Sequence, residues 1–270
     1  MKRDEGSPQI PGGMGTIDAE AFLIDLDGVL YVDKTPIPGA KEALAQLEER
    51  GYRRRFVSNT TSKSRRGLAG FLGALGFEIS AEEIFTPAVA AAGRLRSRNE
   101  RCFLVAGPSL REDFDEAGVG VAEEGVDCVV VGDAEADFTY DRLNRAFRMV
   151  MEGSRIIALE KDRYWMGAGG LTLAAGPFVA ALEYASGRKA ELVGKPSPDF
   201  FALALRDLGA SPEEAAMIGD DINSDVGGAK NVGMKGILVR TGKYREEAVA
   251  PSGISPDLIL GSIAELGDHL

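Results

Sequence analysis

The sequence predicts an α/β fold built on a mainly parallel sheet, with a second α/β unit inserted into the first. Three observations predict it. Short apolar runs alternate with amphipathic segments of helical period, the pattern of successive βαβ units. The first run, Ala21–Leu26, is nearly continuous and broken only by Asp25, as in a strand buried on both faces. The chain of 270 residues is long for one core, and a different series of strands and helices interrupts the first before its style resumes.

Met1–Gly15 is polar, carries Gly and Pro and has no apolar segment of signal-peptide type, so residues 1–18 are expected to be a flexible leader. Residues 19–87 open the core. Strand Ala21–Leu26 leads to helix Gly39–Glu49, with Ala40, Ala43, Leu44 and Leu47 on one face and Gly51 as its stop. Strand Arg55–Ser58 and helix Ser64–Leu75, stopped by Gly76, follow. The basic run Arg53–Arg55 reads as a solvated edge at the junction. Residues 88–192 form the inserted unit, with strands near Phe103–Val105, Cys128–Val131 and Ile156–Ala158. Its helices are expected near Leu110–Ala117, Asp141–Met151 and Phe178–Tyr184. Residues 193–270 return to the core: helix Pro198–Leu208, strand Ala215–Ile218, helix Ser224–Asn231, strand Gly236–Val239, short strand Leu258–Leu260 and helix Ile263–His269.

Composition excludes several chemistries. The net charge of −11 disfavours nucleic acid and anionic membranes as partners. No apolar run reaches the ~18 residues of a membrane span. The single histidine, His269, sits beside the C-terminus in a segment expected to fray, so Ser-His-Asp, Cys-His and His-based zinc systems are ruled out. The two cysteines, Cys102 and Cys128, lie in apolar strands without metal-ligand spacing and read as buried thiols of a protein in a reducing, cytoplasmic setting. Acid–base chemistry falls to carboxylates, Lys or Tyr. An acidic chain that acts on phosphate needs positive charge, and a divalent cation is the simplest source.

Four motifs carry chemistry. Asp25-Leu26-Asp27-Gly28 follows the first strand. One aspartate there can attack phosphorus while the other serves as general acid and base. The alternative is a polar strand end feeding a turn. Gly219-Asp220-Asp221, with Asp225, follows strand Ala215–Ile218. Several carboxylates at one strand end repel unless a cation sits among them, although one of them is enough to cap the next helix. Gly194-Lys195-Pro196 offers a fixed ammonium for a phosphoryl oxygen. Ser58-Asn59-Thr60-Thr61 offers a hydroxyl and backbone N–H groups for phosphate. A parallel sheet gathers such strand ends at one edge.

With these stretches the sequence resembles the haloacid dehalogenase superfamily, in its class IIA branch with a large cap between the second and third motifs. The resemblance rests on IDLDGVLY (24–31), PGAKEAL (38–44), RFVSNTTSKS (55–64), GPFVAALEYA (176–185), VGKPSPDFF (193–201), MIGDDINSDVGGAKNVGM (217–234) and LVRTGKYR (238–245). It implies a Rossmann-like core, 19–87 with 193–270, and an inserted α/β cap, 88–192, that sets specificity. It implies Asp25 as nucleophile and metal ligand, and Asp27 as acid/base with its backbone carbonyl on Mg2+. Ser58 and Asn59 would contact the phosphoryl group, Lys195 would stabilise it, and Asp220 would bind the metal. Asp225 or Asp221 would orient a metal-bound water. The implied substrate is a small phosphorylated compound, and members often form homodimers through the cap. A phosphotransferase or mutase of the same superfamily, and a phosphate-binding protein without turnover, are the alternatives. The segment Glu160–Met166 and Gly167–Gly170, with the only tryptophan, Trp165, reads as a loop that lines a substrate pocket or forms plain cap surface.

Overall fold

The computed structural model describes residues 15–167 and 169–270. β1 (Ala21–Asp25) leads to a hairpin of β2 (Tyr31–Val32) and β3 (Thr35–Pro36), then α1 (Ala40–Glu49), β4 (Arg53–Val57), α2 (Arg65–Ala74), β5 (Ile84–Phe85) and α3 (Pro87–Arg98). A second series comprises β6 (Cys102–Val105), α4 (Arg111–Glu116), β7 (Cys128–Val131), α5 (Tyr140–Glu152) and β8 (Arg155–Ala158). It continues with the hairpin β9 (Tyr164–Gly167) and β10 (Gly170–Leu173), α6 (Gly176–Ser186) and β11 (Glu191–Leu192). The chain closes on α7 (Pro198–Leu208), β12 (Ala215–Gly219), a wide helical turn Ile222–Gly227 running into α8 (Gly228–Asn231), β13 (Lys235–Val239), α9 (Glu246–Ser252), β14 (Leu258–Leu260) and a 3-10 segment Ile263–His269.

The larger sheet has six parallel strands in the order β14-β13-β12-β1-β4-β5. β1 lies between β12 and β4, and the chain leaves it in both directions. The crevice beyond the carboxyl ends of β1 and β12 is therefore a topological switch point, where open parallel sheets place ligands. Every residue of β1 is buried, which is why its sequence shows no polar–apolar alternation. One face, with Phe22, Ile24, Phe56 and Ile218, packs on Leu44 and Leu47 of α1 and Leu68 and Leu72 of α2. The other face, with Leu23, Val57 and Met217, packs on Phe200, Phe201 and Ala204 of α7 and on the alanines of α3.

The smaller sheet has four parallel strands in the order β11-β8-β7-β6. Phe103, Val105, Val129 and Val131 face α5 and α6. Cys102, Leu104, Cys128 and Val130 face the other way and join the cluster that holds α3 and α7. The two sheets thus share one continuous apolar cluster. Cys102 and Cys128 are free, buried and opposite each other in register. Burial pushes both thiols up to about 12, so neither is a reactive thiolate.

Several expectations need correction. The leader expected at 1–18 lies outside the described residues up to residue 14. Its end is anchored: Ile17 is buried, and its N–H donates to the His269 carbonyl at 2.7 Å. That bond also ties down the C-terminal segment expected to fray. The basic run lies within β4, where Arg54 pairs with Glu48 at 3.0 Å and Arg55 with Asp207 at 2.9 Å. The segment read as a loop around Trp165 is the antiparallel hairpin β9–β10, with Thr172 opposite Trp165. The helices α3 and α9 and the short pairs β2–β3 and β5 were not anticipated.

Candidate active site

The site is built from strand ends. Asp25 is the last residue of β1 and pairs in register with Val57, so Ser58 stands one residue beyond it on the neighbouring strand. Asp220 follows β12 directly. Gly194 donates its N–H to the Leu159 carbonyl at 3.0 Å, which docks the turn carrying Lys195 against the end of β8. Four buried charged groups result: Asp25, Lys195, Asp220 and Asp225.

Lys195 Nζ lies 2.9 Å from Asp25 Oδ1 and 2.7 Å from Asp225 Oδ1. Both contacts are ion pairs by distance. Asp25, Asp220 and Asp225 each bring one carboxylate oxygen within 4.8 Å of the others. Asp25 Oδ1 also accepts the Leu26 N–H at 2.8 Å, and Asp220 Oδ2 accepts the Lys243 N–H at 2.6 Å. Such a cluster raises the proton affinity of Asp220 and Asp225. Burial pushes the Asp220 carboxyl up, and the negative charges of Asp25 and Asp225 push it further. Burial likewise raises Asp225, with Lys195 opposing. Burial disfavours the Lys195 ammonium, but Asp225 and Asp25 outweigh that and hold it charged.

Close approach sets the backbone here. Gly28 has φ +86°, and a Cβ there would fall on Asp220 Oδ2. Gly242, at φ +56°, would collide with the same oxygen. The Thr241 hydroxyl donates to the Gly28 carbonyl, so the loop after β13 is clamped onto the turn after β1.

The candidate residues separate by role. Asp27 is exposed, and its carboxylate stands outside the carboxylate trio. Burial of its surroundings raises its carboxyl, while Lys243 pulls it down. Ser58 is buried, donates to Thr60 Oγ1 at 3.0 Å and accepts the Thr60 N–H at 3.1 Å. Asn59 was expected to touch the phosphoryl group, but its side chain is occupied. Oδ1 accepts the Lys195 N–H at 2.8 Å, and Nδ2 donates to the Lys195 carbonyl at 2.9 Å. Asp221 and Asp225 were left as alternatives, and the structure divides them. Asp221 Oδ1 accepts the Asn223 and Ser224 N–H groups at 2.8 and 2.9 Å, so it caps the turn. Asp225 is the one that reaches Lys195. Lys243 was not singled out. Desolvation opposes its charge, but Asp25, Asp162 and Asp220 hold its ammonium above the usual range. Its signal was the glycine before it, at a loop following a core strand.

A family model described as haloacid dehalogenase-like hydrolase matches residues 22–120, and one described as HAD-hydrolase-like matches 192–266. The rat haloacid dehalogenase-like hydrolase domain-containing protein 2 is 45% identical over 254 residues, covering 93% of this chain and 95% of that one. Human phospholysine phosphohistidine inorganic pyrophosphate phosphatase is 40% identical over 266 residues, covering 96% and 97%. Among solved structures, p-nitrophenyl phosphatase from Archaeoglobus fulgidus superposes with a TM-score of 0.89 at 30% identity, covering 94% of this chain and all of that one. NagD from E. coli K-12 gives 0.85 at 29% identity, covering 92% and 98%. The chain belongs to the haloacid dehalogenase-like hydrolases, in the NagD-like branch, and is an enzyme of their phosphatase class.

Proposed function

We propose that this enzyme is a magnesium-dependent phosphatase that hydrolyses small phosphate monoesters through an aspartyl-phosphate on Asp25. The observation that carries the reading is the Lys195–Asp25 contact of 2.9 Å inside a buried carboxylate cluster at the switch point of the sheet. The residues suit a hard divalent cation. Asp25, Asp220 and Asp225 bring three buried carboxylates together, with the Lys195 ammonium between two of them, so the cluster carries more acidic groups than its ammonium can neutralise. The donors are all oxygen, as Mg2+ prefers. Asp25 and Asp220 would hold the ion, with the Asp27 carbonyl, and Asp225 would act beside them by fixing Lys195. When bound, the cation supplies positive charge to the phosphoryl oxygens.

The chain's own groups then act in two displacements. A carboxylate oxygen of Asp25 attacks phosphorus in line as the bond to the leaving oxygen breaks. That oxygen takes the proton of Asp27, whose raised proton affinity keeps the acid form accessible. Asp27, now a carboxylate, takes a proton from water. The resulting hydroxide attacks phosphorus and the Asp25–phosphate bond breaks, regenerating Asp25 and releasing phosphate. Lys195, held charged throughout, neutralises the nucleophile at rest and the phosphoryl oxygens in the transition state.

Residues 88–192 would act as a cap that shapes substrate choice, as a cytoplasmic enzyme paired through that unit. No helix among the described residues is long and apolar enough to cross a membrane. The human relative's name makes pyrophosphate and phosphoamidates worth including beside monoesters. The test is phosphate release from an aryl phosphate and from that panel, with Mg2+ and with chelator, in wild type and Asp25→Asn. We expect activity only with the metal and none from the variant, because a neutral amide is a poor nucleophile. Full activity of Asp25→Asn would sink the reading.

A further inference from the structure

The hairpin β9–β10 and the loop after β7 border a cavity of about 570 Å³ that the reaction above leaves unused. That volume lies within the usual range for small-molecule sites. Two carboxylates, Asp133 and Glu135, line it beside the rings of Phe138, Trp165 and Phe178 and the side chain of Leu173. Among the described residues, no lysine or arginine lines it. Phe138 and Phe178 stack face to face with centroids 3.7 Å apart. Trp165 and Leu173 are 44% and 60% exposed, so large apolar surface faces open space.

One wall of the cavity is tied to the loops of the catalytic cluster. The Asp133 N–H donates to Thr61 Oγ1 at 2.8 Å, three residues after Ser58. The end of β8 docks on the turn before Lys195 through the Gly194–Leu159 bond. Between them runs the segment from Glu160 to Asp162. The charge of Asp133 acts on Glu160, and the charge of Asp162 acts on Lys243. The loops that follow β7 and β8 are thus tied to the loops that carry the catalytic cluster. Lys195 and Lys243 stand at the catalytic end to meet a phosphoryl group, and Asp133, Glu135 and the aromatic rings stand at the other.

We propose that this cavity holds the leaving group of the substrate and selects one that ends in an alkylammonium cation. The proposal rests on the phosphatase reading for the link between cavity and reaction. Carboxylates attract the cation by charge, and an aromatic face attracts it through its quadrupole, with Trp the strongest of the rings. A phosphate ester of an amino alcohol has matching polarity, anionic toward Lys195 and cationic toward Glu135.

Trp165 is the only tryptophan of the chain and lines the cavity, so its emission reports occupancy without any turnover. The full-length protein is titrated with choline and with its uncharged isostere 3,3-dimethylbutanol. We expect a saturable change with choline and binding of the isostere about tenfold weaker. Glu135→Gln, at an exposed loop position, should weaken choline several-fold, as should Phe178→Leu. In parallel, kcat/KM for choline phosphate should exceed that for 3,3-dimethylbutyl phosphate by about tenfold in wild type, the gap narrowing in Glu135→Gln. Equal response to the two alcohols, or no saturable response, overturns the proposal. So does a kcat/KM ratio near one, even if choline binds. Aryl phosphate hydrolysis is read separately: its loss with chelator upholds the phosphatase reading whatever the cavity does. Its absence under all conditions sinks that reading and, with it, the leaving-group assignment.

Discussion

Lys195 is held at both ends. Its ammonium lies between Asp25 and Asp225, and its backbone N–H and carbonyl are both taken by the side chain of Asn59. A buried ammonium placed between two carboxylates is only as well aimed as the backbone beneath it. Asn59 is therefore a positioning residue. Asn59→Ala should lower kcat by about 10–100-fold, the scale seen when supporting groups around a site are removed. KM should change less, and steady-state kinetics separates the two. A fall in thermal stability with kcat intact would instead make Asn59 a residue of the fold alone. The pairing was out of reach of sequence reading. Asn59 and Lys195 are 136 positions apart, and nothing in a strand–Ser–Asn pattern tells whether the amide faces a ligand or a distant backbone. The types and spacing of Asp25, Lys195, Asp220 and Asp225 were legible because each follows or flanks an apolar run. Lys243 was not, because a single lysine in a turn looks like any solvated one.

At the level of elements, the two aspartates after Asp220 have opposite tasks on one short turn. Helix Ser224–Asn231 was expected, but winding begins at Ile222, and the Val226 N–H reaches back five residues to the Asp221 carbonyl at 3.3 Å. Wide turns of this kind recur at functional sites. Here the turn carries Asp225 into the cluster, while Asp221 satisfies the free N–H groups at its start. Asp221→Ala should cost about 1 kcal/mol of stability, the usual worth of such a cap, with kcat close to wild type. Asp225→Asn should do the reverse and strike kcat first, because Lys195 would lose one of its two ionic partners. Thermal melts and kinetics on the same preparations decide between them, and equal losses of activity in both variants would refute the division. The two-residue strands β5 and β11 were too short to leave an apolar run, whereas the longer strands of both sheets were legible as such runs. The hairpin β9–β10 was not. It is short, mostly exposed and glycine-rich, so neither alternation nor burial left a pattern to read. α3 was hidden by its composition, because a run of alanines has little amphipathic contrast. α9 was hidden by Pro251 within it.

For the molecule as a whole, the two sheets are joined by shared packing, and a buried carboxyl at the end of β8 makes stability depend on pH. Glu160, at the end of β8, is buried. Its Oε1 accepts the Ala175 N–H at 2.7 Å, and its Oε2 accepts the Asp162 N–H, which fixes the segment that faces the core. Burial pushes its carboxyl up to about 7. The two N–H groups pull it down, and the charges of Asp162 and Asp133 push it up again. The folded state therefore holds a proton that the unfolded chain, with an ordinary glutamate near 4.5, has released. Where the native state binds more protons, stability falls as pH rises. The contribution is fully present below pH 4.5 and is lost as pH climbs through about 7. A shift of this size corresponds to about 3 kcal/mol. Glu160→Gln cannot titrate, so denaturant unfolding at intervals from pH 4.5 to 8 should give a curve flatter than wild type by about that amount. The comparison must be made on the slope. The amide NH2 cannot accept from the Asp162 N–H, so the variant's absolute stability is set by a lost bond as well as by the lost proton. Parallel curves for the two proteins would show that Glu160 is ionised in both states, and the anchoring of the segment after β8 would then owe nothing to its protonation.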